Sequence, residues 1–344
     1  MQNFSDWVQF AVSSAVVILF LLILLALLSL LLKRGRKAER TGFTIEHLNE
    51  LWTHNEDRIR SAILPRKQFT ALVKDREKQE KEREKVKSKD SDTHPASNKK
   101  VFVVDFEGDV TATECNALRD IVSALISVAK HEDEVVVRLE SPGGVVHGYG
   151  LAASQLARLK DRKIHLTVCV DKVAASGGYM MACVADKIVA APFAFIGSIG
   201  VLSSMPNFNR LLKKHDIDFV EQTAGEHKRT LSLFGELNDS KKAKHQQDLE
   251  VIHGLFKQHV AHHRPKVDIN TVATGEVWLG QIARDMGLVD EILTSDDLLT
   301  GLGKNADVYL IKSEREQNWK TKLMKQLFQM VMNFETSPLS KLRM

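Results

Sequence analysis

The sequence predicts an α/β domain built on parallel strands, carried behind one membrane-spanning helix and a charged helical linker. Three observations predict it: an uncharged apolar run at residues 10–32, an almost wholly charged run at 74–89, and apolar segments alternating with amphipathic ones beyond residue 100. Strands that alternate with helices pair in parallel through right-handed crossovers, because a sheet buries its faces only if the helices return across it. At 344 residues the chain has room for a span, a linker and one domain of roughly 200 residues with a real core. Its divisions are a tail at 1–9, the span at 10–32, a basic juxtamembrane helix and linker at 33–100, the main domain at 101–300, and a C-terminal strand with a basic amphipathic tail at 301–344.

Phe10 to Leu32 holds nothing more polar than Ser, and its 23 residues suffice to cross a hydrocarbon core with modest tilt. A cleaved leader would have a basic start, a shorter apolar stretch and a small-residue cleavage site. Here Asp6 precedes the run, while Lys33, Arg34, Arg36, Lys37 and Arg40 come after it. The run therefore reads as a retained single-pass anchor in a lipid bilayer, and the charge rule places the residues beyond Leu32 on the cytoplasmic side.

Residues 43–73 show a helical pattern, with Ile45, Leu48, Leu51, Trp52, Ile59 and Ile63 near one face and Pro65 interrupting it. The run KDREKQEKEREKVKSK then alternates in sign, as a solvated helix does, and DSDTHPASNKK reads as a flexible linker. Residues 33–100 carry 19 Lys/Arg against 12 Asp/Glu in a chain whose net charge is +4, so the remainder is slightly acidic. Acids interleaved with the bases, and no accompanying aromatics, argue against a nucleic-acid partner. The basic residues sit where anionic headgroups would be.

The main domain opens with the strand VFVVDFE. An amphipathic helix comes next, around Cys115 to Ala129, then the strand VVVRLE ending in SPGG, a helix from about Tyr149 to Leu159, and the strand IHLTVCV. The stretch Ala174 to Val201 is apolar enough to suggest a second span. Asp186, Lys187 and Pro192 divide it instead into a buried helix, the strand KIVAA and a turn. Three cysteines, Cys115, Cys169 and Cys183, form no disulfide framework or zinc motif.

Acyl transfer needs a nucleophile, a base within reach and backbone N–H donors for the developing oxyanion. Ser141-Pro142-Gly143-Gly144 lets the backbone approach a carbonyl, or is an ordinary strand-ending turn. Ser176 in DKVAASGGYMMA comes after a strand and opens a helix, so it is either a helix cap or a nucleophile favoured by free N–H groups. Lys228 in TAGEHKRT acts as a base only if burial disfavours its charge; otherwise it is a solvated loop residue, and its neighbour Arg229 cannot deprotonate.

SPGG, AASGGYMMA, IGSIGV, a Lys in a Gly-x-x-Lys context, and TGEVWLGQIARDMGLVDEI at Thr274 to Ile292 together resemble the signal peptide peptidase A family of serine peptidases, most closely its SohB branch. The resemblance implies a ClpP/crotonase-like fold of repeated ββα units, with Ser176 as nucleophile, Lys228 as general base, and the N–H groups of Gly144 and Gly177 as oxyanion hole. It also implies amide hydrolysis through an acyl-enzyme without metal or organic cofactor, peptide or protein substrates with apolar or unfolded segments, and a homo-oligomer. It places the domain on the periplasmic face, against the charge rule, so both faces stay open. His147 and Asp171 offer a triad alternative, and His253, His259, His262 and His263 read as a polar helix face. A crotonase-type acyl-CoA enzyme and a non-catalytic membrane scaffold are the competing readings.

Overall fold

The computed structural model describes residues 42–89, 99–225, 227, 228 and 230–314. The expected anchor, its flanks and the tail beyond residue 314 lie outside the described residues. Within them, no helix is long and apolar enough to cross a membrane.

The elements run β1 (Gly42–His47), α1 (Leu48–Ile63), α2 (Arg66–Lys89), β2 (Lys100–Glu107), α3 (Cys115–Val128), β3 (Glu134–Glu140), α4 (Val146–Asp161), β4 (His165–Val170), β5 (Val173–Ala175), α5 (Gly177–Ala182), β6 (Lys187–Ala190) and β7 (Phe195–Gly197). They continue with α6 (Asn209–Lys214), α7 (Asp239–His263), α8 (Ile269–Val272), β8 (Val277–Leu279), α9 (Gly280–Asp285), β9 (Glu291–Ile292), α10 (Ser295–Leu302) and β10 (Asp307–Glu314).

The result is a mixed α/β fold. Seven strands form one sheet in the order β1-β10-β2-β3-β4-β6-β9, and β5-β7-β8 form a smaller one. Every pairing from β10 to β9 in the large sheet is parallel. Both faces of the large sheet are covered, which is why its strands read as continuous apolar runs rather than alternating ones. Val135, Val137 and Leu139 of β3 face α3 and α4, packing among Leu118, Ile121, Leu125 and Leu156. Val136, one step out of phase, faces the other side with Val101, Val103, Cys169 and Val189, under Leu48 of α1 and Leu299 of α10. All three cysteines are buried and free.

Residues 174–201 are cut into β5, α5, β6 and β7. Asp186 receives the Leu166 N–H at 2.9 Å and pairs with Lys160 at 3.1 Å, so its charge is compensated where the apolar run turns.

Two expectations change. The helical pattern assigned to residues 43–73 begins as a strand, because Gly42–His47 joins the sheet beside β10. Of the apolar face expected there, only Leu48 is buried and Trp52 half-buried, while Ile45, Leu51, Ile59 and Ile63 stay exposed. One compact unit runs from Phe43 to Ser313, extending N-terminally to take in α1. Asn49 explains the N-terminal extension: its side-chain amide donates to Gly303 O (2.9 Å) and Ala306 O (3.1 Å) and accepts from Val308 N–H (2.7 Å), tying α1 to the entry of β10.

Candidate active site

The small sheet and α5 meet at Ser176, which has φ 51° and ψ −118°. A residue with a Cβ is strained there by about 1–3 kcal/mol, and the surroundings must hold it. They do so on both sides: Ser176 N–H donates to Gly197 O (2.8 Å), and Ser176 C=O accepts from Met180 N–H (2.9 Å). The hydroxyl makes no capping bond to α5, so the helix-cap role that the local sequence allowed is not the one it fills. It sits half-buried on a sharp strand-to-helix turn, the backbone arrangement that presents a nucleophile.

The SPGG turn is spliced onto this elbow. Ser141 N–H donates to Val173 O (2.8 Å), and Ala175 N–H donates to Ser141 O (3.0 Å). Gly143, at φ +90°, lies so close that a Cβ on it would stand 2.7 Å from Gly177 N. A Cβ on Gly144 would meet Val110 O at 2.1 Å. Close backbone approach therefore requires both glycines, where the local sequence only permits them. Among the described residues, no acceptor engages the N–H of Gly144 or of Gly177. Gly177 N–H belongs to the first turn of α5, where amides lack intrahelical partners.

A buried polar chain runs behind the turn. Gly143 N–H donates to Ser141 Oγ (3.1 Å), Ser141 Oγ and Tyr149 Oη are 2.6 Å apart, and Tyr149 O–H donates to Asp109 O (2.8 Å). Tyr149 is wholly buried, and its ring packs on Gly177 so closely that a Cβ there would stand 2.3 Å from the ring. Burial pushes the Tyr149 phenol pKa up. Asp109 holds its own loop by accepting from Thr111 N–H (3.1 Å) and Thr113 N–H (2.9 Å), and the Thr113 bond keeps its carboxyl below the usual range. Sequence reasoning missed Tyr149, because one tyrosine opening an amphipathic helix looks like any core aromatic.

The IGSIG segment and the TGEVWLG segment meet in the β7–β8 pairing, Ile196 opposite Trp278. Ser198 N–H donates to Glu276 O (2.7 Å). Gly287, at φ +78°, ends the turn after α9 before β9 returns to the sheet.

Among the described residues, Lys228 makes no hydrogen bond with Ser176. Lys228 lies exposed between β7 and α7, its N–H donates to Gly225 O (3.2 Å), and its ammonium makes no hydrogen bond or ion pair with a described residue. The triad alternative is not assembled either. His147 is exposed, and the Asp171 carboxylate is held by the N–H and hydroxyl of Ser295.

The α7 histidines differ from expectation. His253 and His259 do not form a solvated face: they bond Ile199 O (3.2 Å) and Met180 O (3.0 Å), docking α7 on the elbow region. Burial lowers the His259 pKa and, helped by His259 and His262, lowers that of His263 to about 4.

Residues 158–309 match the model of peptidase family S49, and residues 2–156 match the N-terminal model of the same family. A probable protease SohB of Haemophilus influenzae is 61% identical over 62% of this chain and 60% of its own length. A probable protease SohB of Buchnera aphidicola (subspecies Schlechtendalia chinensis) is 54% identical over 59% of this chain and 67% of its own. The matches thus span about three fifths to two thirds of these relatives. A solved membrane-bound stomatin-specific protease in complex with a substrate peptide aligns over 67% of this chain and 98% of its own, with 14% identity and a TM-score of 0.42. The chain belongs to peptidase family S49, in its SohB branch.

Proposed function

We propose that this chain is a membrane-anchored serine endopeptidase working through a Ser176/Lys228 dyad on a ClpP/crotonase-like scaffold, with the N–H groups of Gly144 and Gly177 as oxyanion hole. The observation that carries the reading is the Ser176 elbow: a strained turn, a hydroxyl not used as a helix cap, and beside it two glycine amides without acceptors among the described residues. Family membership supports the same chemistry.

In the proposed cycle, neutral Lys228 takes the Ser176 proton as Oγ attacks the peptide carbonyl, and the glycine amides stabilise the oxyanion. Collapse breaks the C–N bond, and Lys228 returns the proton to the leaving amine. Water, deprotonated by the same lysine, then attacks the acyl-enzyme and frees Ser176. No metal or organic cofactor enters the cycle.

This scheme requires the segment carrying Lys228 to pack over Ser176, since an exposed ammonium stays charged and is no base. That segment has a reason to pack. Leu202, Phe208, Leu211, Phe219 and Val220 are exposed on it, with Leu202 88% accessible, and apolar surface of this kind marks a contact with a neighbouring copy or with substrate. A homo-oligomer is part of the proposal. So are short apolar, signal-peptide-like or unfolded substrates met near the bilayer, and attachment to the inner membrane through residues 10–32.

The test is hydrolysis of an unstructured apolar peptide in detergent, across pH, by wild type, Ser176→Ala and Lys228→Ala. Cleavage by wild type alone, with both variants folded, is expected. Full activity in Lys228→Ala would remove the dyad, and a wild type that cleaves nothing but binds a coenzyme A thioester would favour the acyl-CoA reading.

A further inference from the structure

The SPGG turn carries two consecutive glycine amides, and only one of them is free to meet substrate. Gly143 is buried and its N–H is spent on Ser141 Oγ, whereas Gly144 is exposed and its N–H has no acceptor among the described residues. What holds the first amide inward is the polar chain behind it. A tyrosine hydroxyl has one proton, and Tyr149 gives it to Asp109 O, so the Ser141 hydroxyl must donate to Tyr149 Oη across their 2.6 Å contact. Ser141 Oγ is then left as an acceptor toward Gly143 N–H. Every proton in the sequence Gly143 N–H, Ser141 O–H, Tyr149 O–H, Asp109 C=O points the same way, and bonds aligned head to tail in a buried site polarise and strengthen one another.

The chain also spans the three backbone segments that border the elbow. Asp109 belongs to the loop whose Val110 C=O accepts the Val145 N–H at 2.8 Å and lies against Gly144. Ser141 begins the SPGG turn, and the ring of Tyr149 bears on Gly177, directly after the nucleophile. Both hydroxyls are buried, so no solvent competes for these bonds.

We infer that Ser141 and Tyr149 are positioning residues: their one-way relay pins the Gly143 amide inward, and so fixes Gly144 N–H as the amide the SPGG turn offers to a reacting carbonyl. This rests on the peptidase reading and adds the device that selects between the two amides. Neither side chain touches substrate; both act through the turn.

Tyr149→Phe removes the relay's hydroxyl while keeping the ring on Gly177. Ser141→Ala removes the acceptor of Gly143 N–H. In the full chain in detergent, each variant is expected to melt near wild type, to keep KM within about threefold, and to lose kcat by roughly 10- to 100-fold, as misplacement of a reacting group by about 1 Å does. The double variant is expected to be no slower than Ser141→Ala, because one relay is broken only once. Amide exchange resolved to single residues reads the relay independently of turnover: Gly143 protected and Gly144 open in wild type, with Gly143 protection lost in Ser141→Ala. Retention of more than half the wild-type kcat by both single variants overturns the inference, as does equal exchange at Gly143 and Gly144. A wild type that cleaves no peptide overturns the peptidase reading, and the exchange measurement still decides the relay.

Discussion

Gly143 lies directly against Ser176: a Cβ on Gly143 would stand 2.8 Å from the Ser176 Cβ and 2.7 Å from Ala175 O, at a backbone angle of φ +90° that side chains rarely adopt. The SPGG turn and the elbow are thus one packed unit rather than two neighbouring loops. Gly143→Ala would force them apart and place a methyl group beside Gly177 N–H. Loss of a working oxyanion donor costs about 10²- to 10³-fold in kcat, so peptide turnover should fall by at least about 100-fold while circular dichroism stays native. Turnover within a few-fold of wild type would show that the turn is not part of the site.

Gly177→Ala should act on stability as well as on turnover. Its methyl group would collide with the Tyr149 ring, which is wholly buried and has nowhere to go. Overpacking of this kind costs about 1–3 kcal/mol. For a domain of this size that lowers Tm by several degrees, measurable by thermal unfolding. An unchanged Tm would mean that the ring can shift.

Asn49→Ala tests whether helix α1 belongs to the folded body. The variant removes three hydrogen bonds to the backbone around Gly303, Ala306 and Val308, some of them shielded from water. We expect a loss of about 2–4 kcal/mol, read as a lower urea midpoint for the whole domain. If α1 merely rests on the surface, the midpoint will not move, and only exchange within α1 will speed up.

The α7 histidines set an acid limit on stability. His263 has a folded pKa of about 4 against an ordinary 6.5, so between those values the unfolded chain binds the proton and the folded chain does not. Stability is therefore full above about pH 6.5 and declines as pH falls toward 4, and His259, shifted the same way, adds to the slope. Neighbouring His262 and Lys160 make protonation of His263 costlier still. His263→Gln should flatten the fall in Tm between pH 6.5 and 4. A parallel fall in the variant would place the acid sensitivity elsewhere.

Much of the sheet is legible in the sequence because its chemistry is local. Strands β2, β3 and β4 announce themselves as apolar runs buried on two faces, and helices α3 and α4 as periodic segments between them. The nucleophile turn is legible as small residues after a strand, though not its strain, which is held in place by Gly197 O of β7, outside the segment, accepting the Ser176 N–H. Residues 43–47 read as helix for a comparable reason: a short segment with Thr44 and Ile45 becomes a strand only because β10, from far along the chain, supplies the edge it joins. The histidines look solvated because α7 is polar overall, and contacts to Met180 and Ile199 cannot be inferred from a helical wheel. Lys228 can be proposed from its motif but not placed, since its environment depends on what covers an exposed loop.

The position of β10 also has a kinetic consequence. Lys100 at the start of β2 registers with Asp307, roughly 200 residues later, so one flank of β2 stays unpaired until β10 has left the ribosome. The nascent chain therefore waits with an open apolar edge, and β1 must wait with it, because its neighbour is β10 itself. Unpaired strand edges of this kind favour aggregation, and truncation just before Asp307 should yield aggregates rather than a smaller folded domain.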